Sequence, residues 1–273
     1  MPLRILTPLS FLLLALTGCY EDVEDCTDPD ASNYNLSADE LCGDCCVYPT
    51  LTLDIDRRFG ADDFDPDSTY TDGAGNAFTL TDFRYYLGDI SLVASGGPLD
   101  LPFNPEEVEI IRGADTVATE VNVNALLGTA ERTLGATVGR LPIGRPTLER
   151  LDLAFGLPDA LQEVRPASAP GDSPLITQPR LLNYRDGRGY VQLRVEYVLA
   201  GQARSVSTFG YLPVSLPLPA AVEPPPRGDN LTLELTADFG AVLGAVDLGA
   251  DSTLLVGELR ARLPDLLTVT GSR

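Results

Sequence analysis

From Thr50 onward the chain runs in short stretches of alternating or β-branched apolar residues, punctuated by Gly, Pro and Asp. Residues 51–55, 83–93, 108–111, 148–155, 190–198, 205–212 and 231–235 each have the composition of a strand. In Val191-Gln192-Leu193-Arg194-Val195-Glu196-Tyr197 the alternation is clean, which predicts one face in a core and one in water. By the same period-two rule, one ring of the adjacent Tyr85 and Tyr86 should face inward and the other outward, in ordinary core and surface packing. Helical patterning is confined to 252–263 and, more weakly, 121–127. Pro-rich stretches at 166–179 and 213–226 predict loops, and Pro224-Pro225-Pro226 should stop any regular element. Seven or more strands so punctuated predict an all-β domain, an antiparallel β-sandwich with one or two short helices.

The N-terminus reads differently. Residues 1–18, MPLRILTPLSFLLLALTG, place one charge at Arg4 ahead of a largely apolar run that is too short to span a bilayer comfortably, the layout of a secretory signal. Leu16-Thr17-Gly18-Cys19 follows and resembles the bacterial lipobox, so Cys19 is expected to be acylated and to hold the protein on a membrane. Glu21-Asp22 and Glu24-Asp25 resemble the acidic tags that send some lipoproteins to the outer face of the outer membrane, although such a run also serves as a solvated tether. The expected organisation is a signal peptide at 1–18, an anchor, acidic tether and Cys-rich segment at 19–49, and the β domain at 50–273.

Composition narrows the chemistry. The net charge is −21, and all 19 basic residues are Arg. Loss of the leader removes Arg4 and leaves 18 Arg against 40 Asp and Glu, a net charge of −22. Such a surface repels nucleic acid and favours cations or basic partners. With no Lys and no His, Schiff-base chemistry and nucleophilic triads built on His are excluded by inventory. A hydrolase made from carboxylates alone is the remaining enzymatic option, but no spacing singles out a pair among 40 acids.

After Cys19 come Cys26, Cys42, Cys45 and Cys46, all within a segment too small for its own core. An even count in an exported chain predicts two disulfides, with the pairing open and an adjacent Cys45–Cys46 bond disfavoured. The Cys42-Gly43-Asp44-Cys45 spacing would also suit a zinc knuckle, a rarer use outside the cytoplasm. The stretch from Cys26 to Asn35, with Cys45-Cys46-Val47-Tyr48, resembles a short Cys-stapled motif of secreted bacterial proteins, with Ser32 where its second cysteine usually stands. Its Asp28, Asp30, Asn33 and Asn35 could supply oxygens to Ca²⁺, and are equally good turn formers. In the β domain Asp63, Asp65 and Asp67, with Asp72 nearby, form a second oxygen-rich stretch, without the Gly and terminal Glu of an EF-hand.

Four motifs in order resemble one family. Tyr70 with Gly73 and Gly75, followed by Phe83-Arg84-Tyr85-Tyr86-Leu87-Gly88-Asp89-Ile90-Ser91-Leu92, is similar to its hallmark "Y-x-n-x-x-G … l-x-Y-Y-i-S-n-i-x-L". Residues 148–156, Gly189-Tyr190 with 191–196, and 231–238 match its later segments. These are the MbnP-like proteins, relatives of methanobactin-associated and copper-repressible surface proteins, and the likeness spans roughly 50–270. The resemblance implies a copper-associated β scaffold and an envelope partner such as a di-haem peroxidase-like protein. The family's M-x-W-x-W, however, is matched here by Leu182, Tyr184 and Asp186, and its H-i-G by Thr208-Phe209-Gly210. Trp and His are absent, and the one Met is Met1. Selective copper sites use imidazole, thiolate or thioether, so the expectation is a binding or docking lipoprotein without the copper site and with no certain cofactor. Ca²⁺ remains the alternative structural ligand.

Overall fold

The computed structural model describes residues 21–29, 31–99, 101, 105–113, 115–141, 147–178, 183–185, 187–222 and 229–273. Residues 1–20, with the expected signal segment and Cys19, lie outside them, as do Asp30, Leu182 and Asp186. The chain forms two compact units, Met1–Tyr48 and Pro49–Arg273. No helix among the described residues is long and apolar enough to cross a membrane.

In the first unit, β1 (Glu24–Asp25) and β2 (Glu40–Leu41) pair in parallel. Among the described residues of this unit, Cys26, Ala31 and Cys42 are the buried ones, with Cys45, Cys46 and Tyr48 packed against them. Disulfides Cys26–Cys46 and Cys42–Cys45 staple this small cluster.

The second unit is built on β3 (Thr50–Phe59), β4 (Asp62–Asp63), β5 (Tyr70–Thr71), β6 (Ala77–Ala94), β7 (Gly97–Leu99), β8 (Pro105–Arg112), β9 (Asp115–Asn122), β10 (Ala125–Thr129) and β11 (Leu134–Arg140). It continues through β12 (Leu148–Phe155), α1 (Asp159–Gln162), β13 (Tyr184–Arg185), β14 (Gly189–Tyr190), β15 (Leu193–Leu199), β16 (Gln202–Thr208) and β17 (Leu212–Val222). The chain ends with β18 (Leu231–Asp238), α2 (Phe239–Leu243), α3 (Ser252–Arg262) and β19 (Leu267–Ser272). One sheet has the order β11-β3-β18-β19, the other β16-β15-β6-β12-β17, with β5, β7 and β10 also on β6. Their inner faces share one core, in which Leu51, Leu53, Ile55, Phe83, Tyr85, Phe155, Leu233 and Leu235 are almost fully buried. Pairing is antiparallel except between β3 and β18, which run parallel from Leu51↔Leu231 to Arg58↔Asp238.

The predicted sandwich and the helix near 252–263 are present, and four local expectations are corrected. Residues 121–127 are not helical: they hold the end of β9, the connection at Val123-Asn124 and the start of β10, which pairs with β6 from Ala125↔Gly88 to Thr129↔Arg84. Sheet hydrogen bonds there outweigh a weak helical pattern. Pro213, Pro217 and Pro219 lie inside β17 and not in a loop. That strand is an end strand of its sheet; Pro213 and Pro217 share one parity, so their missing N–H groups can turn away from β12, and Pro219 falls where the register shifts. The third correction concerns Tyr86. Both tyrosines are buried, on opposite faces of β6: Tyr85 in the main core, Tyr86 in a second one. That second core covers the outer face of the large sheet. It is made by the antiparallel β8–β9 hairpin, α1 and residues near 157–191, through Val108, Ile110, Leu157, Leu161, Val164, Leu175 and Tyr190. For this reason β6 is buried on both faces between Phe83 and Gly88. The face of 191–197 expected in water is corrected likewise: Gln192 and Arg194 are buried, as are Val191, Leu193, Val195 and Tyr197 on the alternate positions.

Candidate functional site

The outer face of the large sheet carries the polar groups that the fold buries. Three rings meet edge to face there: Tyr86 on Tyr190 at 5.5 Å between centroids, and Tyr190 on Tyr184 at 5.1 Å. The Tyr86 hydroxyl donates to the Pro174 carbonyl (2.7 Å), and that of Tyr190 to the Leu175 carbonyl (2.9 Å). Asn183 Nδ2 donates to the Tyr86 hydroxyl oxygen (2.9 Å) and to the Ile176 carbonyl (3.0 Å). Below them Thr208 Oγ1 donates to Gln192 Oε1 (3.1 Å), and Gln192 Nε2 to the Phe155 carbonyl (3.2 Å). Burial pushes the Tyr86 and Tyr190 phenols far up, so both stay neutral at any ordinary pH.

Beside this network stands a row of charges. Arg84 Nε donates to Asp82 Oδ2 (2.7 Å), Nη1 to Gln178 Oε1 (3.2 Å) and Nη2 to Glu131 Oε1 (3.0 Å). On β15, Arg194 Nη2 binds Glu196 Oε1 at 2.5 Å. Register sets like charges opposite each other, Asp82 against Glu196 and Arg84 against Arg194. The opposing partner of each therefore comes from its own strand, two residues away on the same face. Asp82 Oδ1 is buried with no hydrogen-bond partner. Burial holds the Asp82 carboxyl above its ordinary value, against the pull of Arg84.

A cleft of about 550 Å³ opens at the Arg84–Glu131 end of this row. Its wall includes Arg84, Leu126, Leu127, Glu131, Arg132 and Gln178.

The positions anticipated from sequence distribute as follows. Tyr184 and Thr208 are both buried in the outer-face network, at 8% and 1% exposure. Asp72 is also buried, but as a structural hub. Its Oδ1 accepts from the Ala74 and Asn76 backbone N–H groups (3.0 and 2.8 Å), its Oδ2 from Asn76 Nδ2 (3.0 Å) and the Leu248 N–H (2.9 Å). Burial raises its pKa, and these four donors outweigh burial and leave it below the ordinary value. The neighbouring Gly73 is needed because a Cβ would lie 2.8 Å from the Ala245 carbonyl carbon. Asp65 caps its own turn by accepting from the Asp67 N–H and Ser68 Oγ, and Asp63 is exposed beside Arg58, so these carboxylates are not drawn together with Asp72.

In the N-terminal unit, Asn33 binds the Val47 N–H and Cys45 carbonyl, Asn35 binds Asp25 and the Ser37 N–H, and Asp28 accepts from Tyr48 Oη. They serve as cross-links between turns. Among the described residues the one group of potential metal ligands in mutual reach is Cys42, Cys45 and Cys46, and their sulfurs are committed to the two disulfides. Sequence reasoning missed the outer-face charges. The available signal was an Asp-x-Arg and an Arg-x-Glu inside otherwise apolar strands, where i and i+2 share a face.

Such an architecture defines a class: a two-sheet β domain with a second, tyrosine-lined core on one outer face. The MbnP family model matches residues 48–253, and the chain belongs to that family. The structure of MbnP from Methylosinus trichosporium aligns over 74% of this chain and 79% of its own length, at 12% identity and a TM-score of 0.39. No curated protein matches the sequence.

Proposed function

We propose that this chain is a non-catalytic lipoprotein of the cell envelope, acylated at Cys19 and turned outward, whose MbnP domain serves as a binding or docking scaffold and not as a copper carrier. One observation carries the reading: of the positions aligned with the family's metal-associated motifs, Tyr184 is buried with its ring packed on Tyr190, and Thr208 is buried with its hydroxyl spent on Gln192. Phenol and hydroxyl oxygens do not hold copper selectively, and the sequence has no Trp, no His and no Met after Met1 to take their place. The acidic surface and the absence of His and Lys argue in the same direction against nucleophilic catalysis. A di-haem peroxidase-like envelope protein is the partner class to test first, by co-purification. For the metal, plasma mass spectrometry of protein grown with added copper should find far less than stoichiometric copper. One tightly held copper per chain would refute the proposal.

A further inference from the structure

We infer that the cleft over Arg84 is a binding site for a small amphipathic carboxylate, with Arg84 as its anchor and Glu131 as a built-in competitor. This goes beyond the docking role proposed above and does not depend on it.

Arg84 is unusual in its burial. Its side chain is 6% exposed, yet it lines a cleft of about 550 Å³, within the range that holds small organic ligands. Only one of its three partners is buried with it. Asp82 takes Nε from behind, through Oδ2 alone, while the Nη1 and Nη2 edge is covered by Gln178 and by Glu131, whose side chain is 67% exposed. A guanidinium offers five N–H donors in a planar fork, and the Nη edge is the one that receives a carboxylate in bidentate fashion. Here that edge is met by one carboxylate oxygen of a mostly solvated Glu and one amide oxygen. Both are side chains that can swing out.

The rest of the cleft supplies the other half of the recognition. Leu126, Leu127, Leu134 and Ile176 form an apolar wall, and Arg132 adds a second cation to the lining. Glu131 and Asp172 balance the two arginines in the empty cleft. Displacement of Glu131 by a ligand carboxylate exchanges one anion for another at Arg84 and frees Glu131 to water. The apolar tail of the ligand then buries against the leucines, a gain that Glu131 itself cannot supply. An amine would face Arg84 and Arg132, and an alcohol would leave the fork without an anion, so the carboxylate is the favoured head group.

The test is calorimetric titration of the full chain with octanoate, 1-octanol and octylamine, alongside Glu131→Gln and Arg132→Glu. Both substitutions lie at exposed positions and should leave the fold intact. Octanoate should bind and the other two bind more weakly. Glu131→Gln should tighten octanoate by about three- to tenfold, since it removes the competing charge, and Arg132→Glu should weaken it by a similar factor. The inference is overturned by equal or better binding of the alcohol or the amine, by unchanged or weakened octanoate binding in Glu131→Gln, or by no octanoate binding at millimolar concentration.

Discussion

Asp72 gives the sharpest test of the physical account. Its carboxylate ties the 72–76 turn to the loop between α2 and α3 through four donors at 2.8–3.0 Å, one of them the N–H of the fully buried Leu248. In Asp72→Ala the turn donors can recruit water in part, but the Leu248 N–H cannot. With about 1–3 kcal/mol for an orphaned buried donor and roughly 1.5–3 for each hydrogen bond to a charged acceptor, a net loss of about 3–5 kcal/mol is expected. Asp72→Asn is the cleaner probe. Its oxygen can keep the two turn N–H groups, while its amide would point a donor at the Leu248 N–H and Asn76 Nδ2, for a loss of about 2–3 kcal/mol. The folded-state pKa lies below the ordinary value of 3.8, so the stability from this carboxylate is complete above 3.8 and is lost as pH falls through the folded value. The gap between wild type and Asp72→Asn should therefore be full at pH 5–7 and close on acidification. Urea unfolding followed by tyrosine fluorescence and circular dichroism at several pH values measures it. A loss under about 0.5 kcal/mol, or a gap that does not shrink in acid, would refute the hub assignment.

Gly128 faces the ring of Tyr85 so closely that a Cβ would lie 2.2 Å from the ring carbon Cζ; Gly128→Ala should destabilise by about 1–3 kcal/mol, read as a lower urea midpoint at unchanged slope. Tyr86→Phe should cost about 1–3 kcal/mol, because Asn183 Nδ2 and the Pro174 carbonyl lose a buried partner, whereas loss of the exposed Tyr211 hydroxyl should cost less than about 1 kcal/mol. Replacing Cys26 and Cys46 together by Ser opens a closure of sequence separation 20, worth about 3 kcal/mol to the N-terminal unit on chain-entropy grounds, and limited proteolysis should then cut within residues 21–48 while leaving 49–273 intact. If Cys19 carries the lipid, Cys19→Ser should move the protein from the membrane to the soluble envelope fraction, and mass spectrometry of the native N-terminus should show acyl chains.

Much of this protein can be read along the chain, because a strand with one buried face writes its period directly into the residues. The clean alternation of 191–197 located β15 but not the burial of its polar face at Gln192 and Arg194, the Pro and Gly punctuation separated the strands, and the cysteine count placed two disulfides in the N-terminal segment. Identity of side chains likewise set the chemical limits: no His, no Lys and no internal Met restrict what any site here can do, whatever the fold. What neighbours across space contribute was not legible. One of Tyr85 and Tyr86 reads as a surface ring, yet a second layer that includes Tyr184 and Tyr190 closes over Tyr86 and both are buried. The prolines of β17 read as loop until the sheet order makes that strand an edge. Asp63, Asp65, Asp67 and Asp72 read as one acidic cluster, yet hydrogen bonds to distant backbone carry Asp72 away from the others. Local pattern fixes which face of a strand is apolar, but only tertiary packing decides what covers that face, and the cleft over Arg84 exists because of that cover.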